Sequence, residues 1–308
     1  MQWSQRAVMM FPLHIASITS APLVAGRLQE WHEVSSDPSL LPSQIFLPAS
    51  ARKLHPVIVF LHGGGDGPFS VMNRQSLPRL LLNNRTFASQ FPFIVITPCS
   101  TCSVARTAVD GRHAASSRGW TPQNFERVDL LISKVLNEHG GDPTRVSLTG
   151  QSMGGGGLWR YAQARRSFFA ALVPVCAAVA PPQGRVDVCC AEAGSKAPPA
   201  NCCPPVWIFH GANDRTVPVK YSDDWAEKLR RQHPGLQEVR YTRYEWAPAP
   251  PMPAFSQLTG HASYELAYRE AALYEWLLGQ RCTARAAAIA GAASAHIEGL
   301  GGGRGGGG

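Results

Sequence analysis

Five apolar runs in the middle of the chain carry no polar alternation, and they do most to limit the fold. HPVIVFLHG (55–63), FIVITP (93–98), VSLTG (146–150), FAALVPVCA (169–177) and VWIFHG (206–211) each read as a strand. A strand points successive side chains to opposite faces, so a run that is apolar throughout is buried on both. A sixth strand, VRYTRYEW (239–246), is mixed in character. Helical patterns fill the gaps. NFERVDLLISKVLNEHG puts Phe125, Val128, Ile132, Val135 and Leu136 on one stripe and stops at Gly140 and Gly141. SDDWAEKLRRQH opens on Ser222 as a cap followed by acids, and closes on basic residues before Pro234. SYELAYREAALYEWLLGQR reads as one long closing helix. Strand, helix, strand in repetition predicts an α/β protein with a mainly parallel, doubly wound sheet covered on both faces.

With 308 residues and 44% hydrophobic content, the chain can bury a full core, and residues 41–283 read as one large α/β domain. Residues 1–40 read as an N-terminal arm or a targeting segment. The first 29 residues hold no Asp or Glu, and their apolar stretch AVMMFPLHIASIT is too short, and too interrupted by Pro12 and His14, to span a bilayer. An acid-poor leader of this kind suits an organellar or secreted protein as well as a plain cytoplasmic one. Residues 284–308, ARAAAIAGAASAHIEGLGGGRGGGG, cannot repay their ordering entropy and read as a disordered Gly/Ala-rich tail. The net charge of +8 is spread without a dense Lys/Arg block. RRQH at 230–233 and ARR at 164–166 read as solvated helix faces, so no nucleic-acid partner and no stable membrane insertion are expected.

Eight cysteines are too few for a disulfide scaffold in a chain this long, but they are grouped. Cys189, Cys190, Cys202 and Cys203 fall in a Pro/Ala-rich insertion, residues 181–204, between two predicted strands. Their spacing is compatible with one or two disulfides, with free thiols, or with a thiolate metal site, although adjacent cysteines chelate a tetrahedral ion poorly. Cys99 and Cys102 form CSTC just after a strand, without a thioredoxin-like sequence around them, and Cys176 reads as a small core residue.

The segment TGQSMGGGG (149–157) places Ser152 between the strand VSLTG and the helical LWRYAQARR. A GxSxG turn in that context can hold a serine in a sharply reversing conformation at the carboxyl edge of the sheet, where open α/β sheets bind ligands. Neither a GxxxxGK[ST] phosphate loop nor a dinucleotide GxGxxG spacing is met, so no nucleotide cofactor is expected. No HExxH helix or calcium loop is present, and neither a metal nor another cofactor is expected. The extra glycines at 155–157 point to close packing at the turn, because each would otherwise weaken a helix.

A serine hydroxyl needs a base, and the base needs an orienting group. Asp214 follows the strand VWIFHG on the same sheet edge, whereas Asp223 and Asp224 are accounted for by the first turn of a helix. Of the histidines further on, His233 ends a basic helix and His296 lies in the tail, while His261 sits in the loop LTGHASYEL before the last helix. An oxyanion would be held by the backbone N–H of Met153 and by one from the HGGG run His62–Gly65, with Gly64 first and Gly65 second. His62 reads as a stabiliser of that turn. In the long loop 100–120, Trp120 is either a core residue or an apolar wall for substrate, and Arg106, Arg112, His113 and Arg118 either attract an anionic substrate group or are solvated.

The order HGGG, GxSxG, Asp, His across about residues 43–281 resembles the α/β-hydrolase superfamily, and within it the carboxylesterase, polyhydroxybutyrate-depolymerase-like and predicted-peptidase group. HPVIVFLHGGGDGP, DPTRVSLTGQSMGGGGLWRYA, FFAALVPVCA, WIFHGANDRTVPVKYS and GHASYELAYREAALYEWLLGQ carry the resemblance. It implies a serine esterase that forms an acyl-enzyme, with Ser152 as nucleophile, His261 as base and Asp214 as its orienter, acting on a small-molecule or acyl ester. Peptidases, thioesterases and acyltransferases use the same three side chains, and a non-catalytic binding protein can keep the fold. The glycine run after Gly154 and the Cys-rich insertion depart from simple members of the group.

Overall fold

The computed structural model describes residues 24–30, 40–65, 69–102, 119–166, 168–189, 203–232 and 238–282. Within them, eight strands form one sheet: β1 (Leu28–Glu30), β2 (Ser43–Phe46), β3 (His55–Leu61), β4 (Ile94–Pro98), β5 (Gly141–Gln151), β6 (Ala171–Val175), β7 (Val206–Gly211) and β8 (Val239–Tyr244). Their spatial order is β1-β2-β4-β3-β5-β6-β7-β8. The pairs β1/β2 and β2/β4 are antiparallel and the other five are parallel. The expected doubly wound sheet is therefore present, with an antiparallel edge added at its start. Leu28–Glu30 lies inside the stretch read as an N-terminal arm, yet it joins the sheet by pairing with Phe46, Ile45 and Gln44.

The unalternated apolar runs feed two cores at once. Along β3, Val57, Val59 and Leu61 pack into the layer that also holds Val128, Ile132, Leu158 and Trp225. The intervening Ile58 and Phe60 pack into the opposite layer with Leu77, Phe91, Tyr268 and Leu277. All seven residues of β3 are buried, as are all six of β7, while β8 at the edge is only partly covered.

Five helices on the way to the site have clear local causes or corrections. The short helices α1 (Phe69–Met72), α2 (Ser76–Asn83) and α3 (Arg85–Gln90) were not legible as helices. Next, α4 (Pro122–Glu138) starts with Pro122 at its first position and the Thr121 hydroxyl accepting from the Asn124 amide at 3.3 Å. Its stripe Phe125, Val128, Ile132 and Val135 is buried, and the chain then turns at Gly140 into β5. The fifth, α5 (Met153–Ala164), follows Ser152.

Two expectations about the later helices are corrected. Helix α6 spans Lys220–Gln232, so Ser222 lies inside it. The Ser222 hydroxyl is drawn to the His210 ring at 2.7 Å, and turn bonds onto Pro218 and Val219 start the helix in place of a side-chain cap. The long closing helix is two pieces, α7 (Tyr264–Ala267) and α8 (Ala271–Gly279). Between them Tyr268 is buried with its hydroxyl 2.8 Å from that of Thr149, and its carbonyl accepts the Tyr274 hydroxyl at 2.7 Å. Glu270 is extended and accepts from the Tyr244 hydroxyl. Burying both tyrosines with partners outweighs helix continuity there.

Candidate active site

Strand β5 ends at Gln151 and Ser152 turns the chain, with φ 52° and ψ −117°, into α5. A residue with a Cβ rarely adopts this conformation, and it persists where surrounding structure fixes it. Here the Ser152 amide donates to the Val175 carbonyl at 3.0 Å, and the Ser152 carbonyl accepts from Gly156 at 3.0 Å and from Ala178 at 2.9 Å. The glycines make room for the turn. A Cβ on Gly150 would lie 2.5 Å from the Gly154 carbonyl oxygen, and one on Gly154 would lie 2.0 Å from that of Leu61. At Gly157 it would lie 2.6 Å from the Trp120 side chain.

Strand β7 delivers the Asp214 turn, and the 258–263 loop is laid against it. Gly260, at φ +80°, permits this approach, since a Cβ there would come within 2.2 Å of the Asn213 carbonyl oxygen. His261 Nδ1 is 2.8 Å from Asp214 Oδ2, and His261 Nε2 is 2.9 Å from Ser152 Oγ. An ionised carboxylate only accepts, so the Nδ1 proton belongs to the histidine and Nε2 faces the serine hydroxyl as acceptor. The other Asp214 oxygen accepts the Thr216 and Val217 amides at 2.8 and 2.9 Å. Burial pushes the Asp214 carboxyl up, but the hydrogen bonds from His210 and His261, the electrostatic attraction of the His261 ring and the Val217 amide outweigh it and hold the group below the usual carboxylate range. Asp223 and Asp224 are committed elsewhere, to Tyr241 and Arg243 and to Lys220 respectively.

His210 was not singled out in the sequence. It is fully buried, with Nε2 3.2 Å from Asp214 Oδ2 and 3.1 Å from the Val217 carbonyl. The carbonyl can only accept, so Nε2 carries the proton and shares it between the two oxygens, while Nδ1 accepts from Ser222. The signal available was a histidine ending an apolar strand four residues before the acid.

The HGGG turn is pinned by His62, whose Nδ1–H donates to the Gly63 carbonyl at 2.8 Å. Its Nε2 accepts from the Ser100 amide and lies beside the Ser100 hydroxyl, both at 3.1 Å. Burial lowers the His62 pKa to about 4 against the opposing pull of the Gly63 carbonyl, so this ring is neutral at physiological pH. A cavity of about 180 Å³ lies beside Ser152 and His261, with Gly63 and Gly64 in its wall. A Cβ on Gly64 would sit 3.9 Å from that of Met153, so the two candidate oxyanion donors are neighbours. Gly65 is outside that wall, at φ +79° and close to the Phe255 ring. Trp120 is corrected from a possible substrate wall to a core residue: it is 3% exposed, absent from the cavity lining, and its indole N–H donates to the His62 carbonyl at 3.0 Å. Arg106, Arg112, His113 and Arg118 lie outside the described residues.

Cys189 and Cys203 are bridged, as are Cys99 and Cys102, the latter pair not foreseen; Cys190 and Cys202 lie outside the described residues. Cys176 is buried, and its sulfur lies within 4.8 Å of the Asp214 and His261 ligand atoms. Among the described residues no helix is long and apolar enough to cross a membrane.

No protein-family model matches the chain, and no curated protein matches it in sequence. Solved structures do. A thermostable esterase superimposes with a TM-score of 0.53 at 23% identity, over 78% of this chain and 59% of its own length. A Klebsiella pneumoniae protein assigned as a dienelactone hydrolase gives 0.52 at 17% identity, over 78% of this chain and 93% of its own. The chain has the α/β-hydrolase fold. A Mycobacterium tuberculosis puromycin-hydrolyzing peptidase also matches, with a TM-score of 0.52 at 18% identity over 84% of this chain but only 40% of its own length. In the α/β-hydrolase fold a nucleophilic serine occupies a strand-to-helix elbow, and acid and histidine follow it in the chain. Ser152, Asp214 and His261 occur in that order.

Proposed function

We propose that the protein is a serine hydrolase that cleaves carboxylic esters of small molecules through an acyl-enzyme. The observation that carries this reading is the unbroken path from Ser152 Oγ to His261 Nε2 at 2.9 Å and from His261 Nδ1 to Asp214 at 2.8 Å. His261 Nε2 takes the hydroxyl proton as Oγ attacks the ester carbonyl carbon, and the carbonyl oxygen becomes an oxyanion held by the Met153 and Gly64 amides. The intermediate collapses as His261 returns the proton to the departing alcohol, leaving an acyl group on Ser152. Water, deprotonated by the same nitrogen, then attacks the acyl carbon, and the second intermediate collapses as His261 returns that proton to Ser152 Oγ and the acid leaves. Asp214, ionised and held by two amides and His210, keeps the Nδ1 proton in place and balances the imidazolium formed in each half. Replacing Ser152→Ala should lower ester turnover by on the order of 10⁴ to 10⁶ with the fold kept. Turnover near that of the parent protein would rule the mechanism out.

A further inference from the structure

Three metal-ligating side chains converge at the carboxyl edge of the sheet. Cys176 follows β6, Asp214 follows β7 and His261 lies in the 258–263 loop. One ligand atom from each, the sulfur, a carboxylate oxygen and a ring nitrogen, lies within 4.8 Å of the other two, and all three residues are buried. Cys176 forms no disulfide. Its backbone is held at φ 38°, a conformation rare for a residue with a Cβ, while its amide donates to the Phe209 carbonyl at 2.8 Å. Nδ1 is the His261 nitrogen 2.8 Å from Asp214, so it is the one an ion among the three would take. His261 also borders the cavity beside Ser152, which gives an ion its approach.

Thiolate, imidazole and carboxylate are the donors that zinc takes, with bonds of about 2.0–2.3 Å. A tetrahedral ion with such bonds holds its ligand atoms about 3.4–3.6 Å apart, so side-chain shifts of about 1 Å would close the site. Binding has a consequence for the ring. An ion on Nδ1 takes the place of the proton there, and the neutral imidazole carries its proton on Nε2 instead. Nε2 then has no lone pair to accept from the Ser152 hydroxyl. The thiol proton leaves to solvent, and the thiolate and the carboxylate balance the two positive charges of the ion. We propose that Cys176, Asp214 and His261 bind one zinc-like divalent cation, which switches the enzyme off by moving the imidazole proton onto the nitrogen that faces Ser152. The ion acts as an inhibitor and has no part in the hydrolytic reaction.

The inhibitory effect rests on the ester-hydrolase reading above, whereas binding does not, and the test separates the two. Cadmium reports binding directly, because a thiolate-bound cadmium ion absorbs in the ultraviolet. It is titrated into Ser152→Ala alone and combined with Cys176→Ala or His261→Ala. Other cysteines contribute equally to all of these proteins, so the difference isolates Cys176. Loss of a partner outside the ligand shell already costs about 10–100-fold in metal affinity, so removing either ligand should weaken this binding by about 100-fold or more. Should Cys176→Ala not fold, Cys176→Ser keeps the size and replaces the soft sulfur with a poor ligand. In the protein with Ser152 intact, zinc or cadmium should stop ester hydrolysis, EDTA should restore it, and magnesium at the same concentration should leave it unchanged. Relative to its own metal-free rate, Cys176→Ser should need about 100-fold more ion. Cadmium binding or inhibition that the Cys176 and His261 variants leave within about threefold of the parent overturns the proposal and leaves the hydrolase reading standing. Binding that depends on both residues, in a protein that cleaves no ester with EDTA present and resists a fluorophosphonate probe, overturns the hydrolase reading and the inhibitory role with it, and supports the metal site.

Discussion

Two glycines two positions apart in the same run should respond to alanine in opposite directions. At Gly156 a Cβ would meet its nearest neighbour, the Ala178 carbonyl oxygen, at 3.4 Å, which is ordinary contact. The position is inside α5, where glycine costs about 1 kcal/mol relative to alanine, so Gly156→Ala should raise the melting temperature by about 2–4 °C. At Gly154 the Cβ would lie 2.0 Å from the Leu61 carbonyl oxygen and 2.6 Å from that of His62. Backbone on both sides must part by about 1 Å to accept it. Overpacking of this kind costs about 1–3 kcal/mol, which places Gly154→Ala below the parent protein by roughly 2–12 °C. The groups forced apart are the elbow and the HGGG turn, and a 1 Å displacement of reacting groups costs about 100-fold in rate. Thermal unfolding together with the rate of covalent labelling by a fluorophosphonate reads both effects. Equal melting temperatures for the two variants, or parent-like labelling of Gly154→Ala, would refute the packing argument.

Two further outcomes follow from the buried groups. His62 is neutral in the folded protein down to about pH 4, while in the unfolded chain it titrates near 6.5. The unfolded state therefore binds the extra proton first, and stability falls as pH drops through that window; between pH 7.5 and 5 the loss attributable to His62 is about 2 kcal/mol. Urea unfolding should show the stability gap between the parent and His62→Gln narrowing by that amount on acidification, and parallel pH profiles would contradict it. Among the described residues four cysteines are bridged, so with eight in the chain thiol titration of the denatured, unreduced protein should find at most four free thiols. Five or more would show that at least one bridge does not form.

Much of the sheet was legible because burial on both faces writes itself as continuous apolar sequence. Val57, Val59 and Leu61 serve one core and Ile58 and Phe60 the other, so these five consecutive positions are all apolar. The short edge strand Leu28–Glu30 left no such mark, since three residues pairing at a margin need little apolar pattern. The break at Tyr268 was hidden for a different reason. Its cause is a set of hydrogen bonds to Thr149 and Tyr274, which is tertiary and invisible to helical periodicity. At the site, Ser152, Asp214 and His261 stood out because their local settings, an elbow and two post-strand loops, are built from short sequence. His210 did not, because a histidine ending an apolar strand reads as part of the core even with its partners Asp214 and Ser222 close by in sequence, and the Tyr264–Gln75 contact did not, because it joins segments far apart in the chain.

The most direct test of the account is covalent labelling with a fluorophosphonate followed by peptide mapping. A single adduct on Ser152, lost in Ser152→Ala and slowed by on the order of 10² or more in His261→Ala, is the expected result. Absence of an adduct, or one on another residue with Ser152 unmodified, would contradict the claim that His261 and Asp214 activate this hydroxyl.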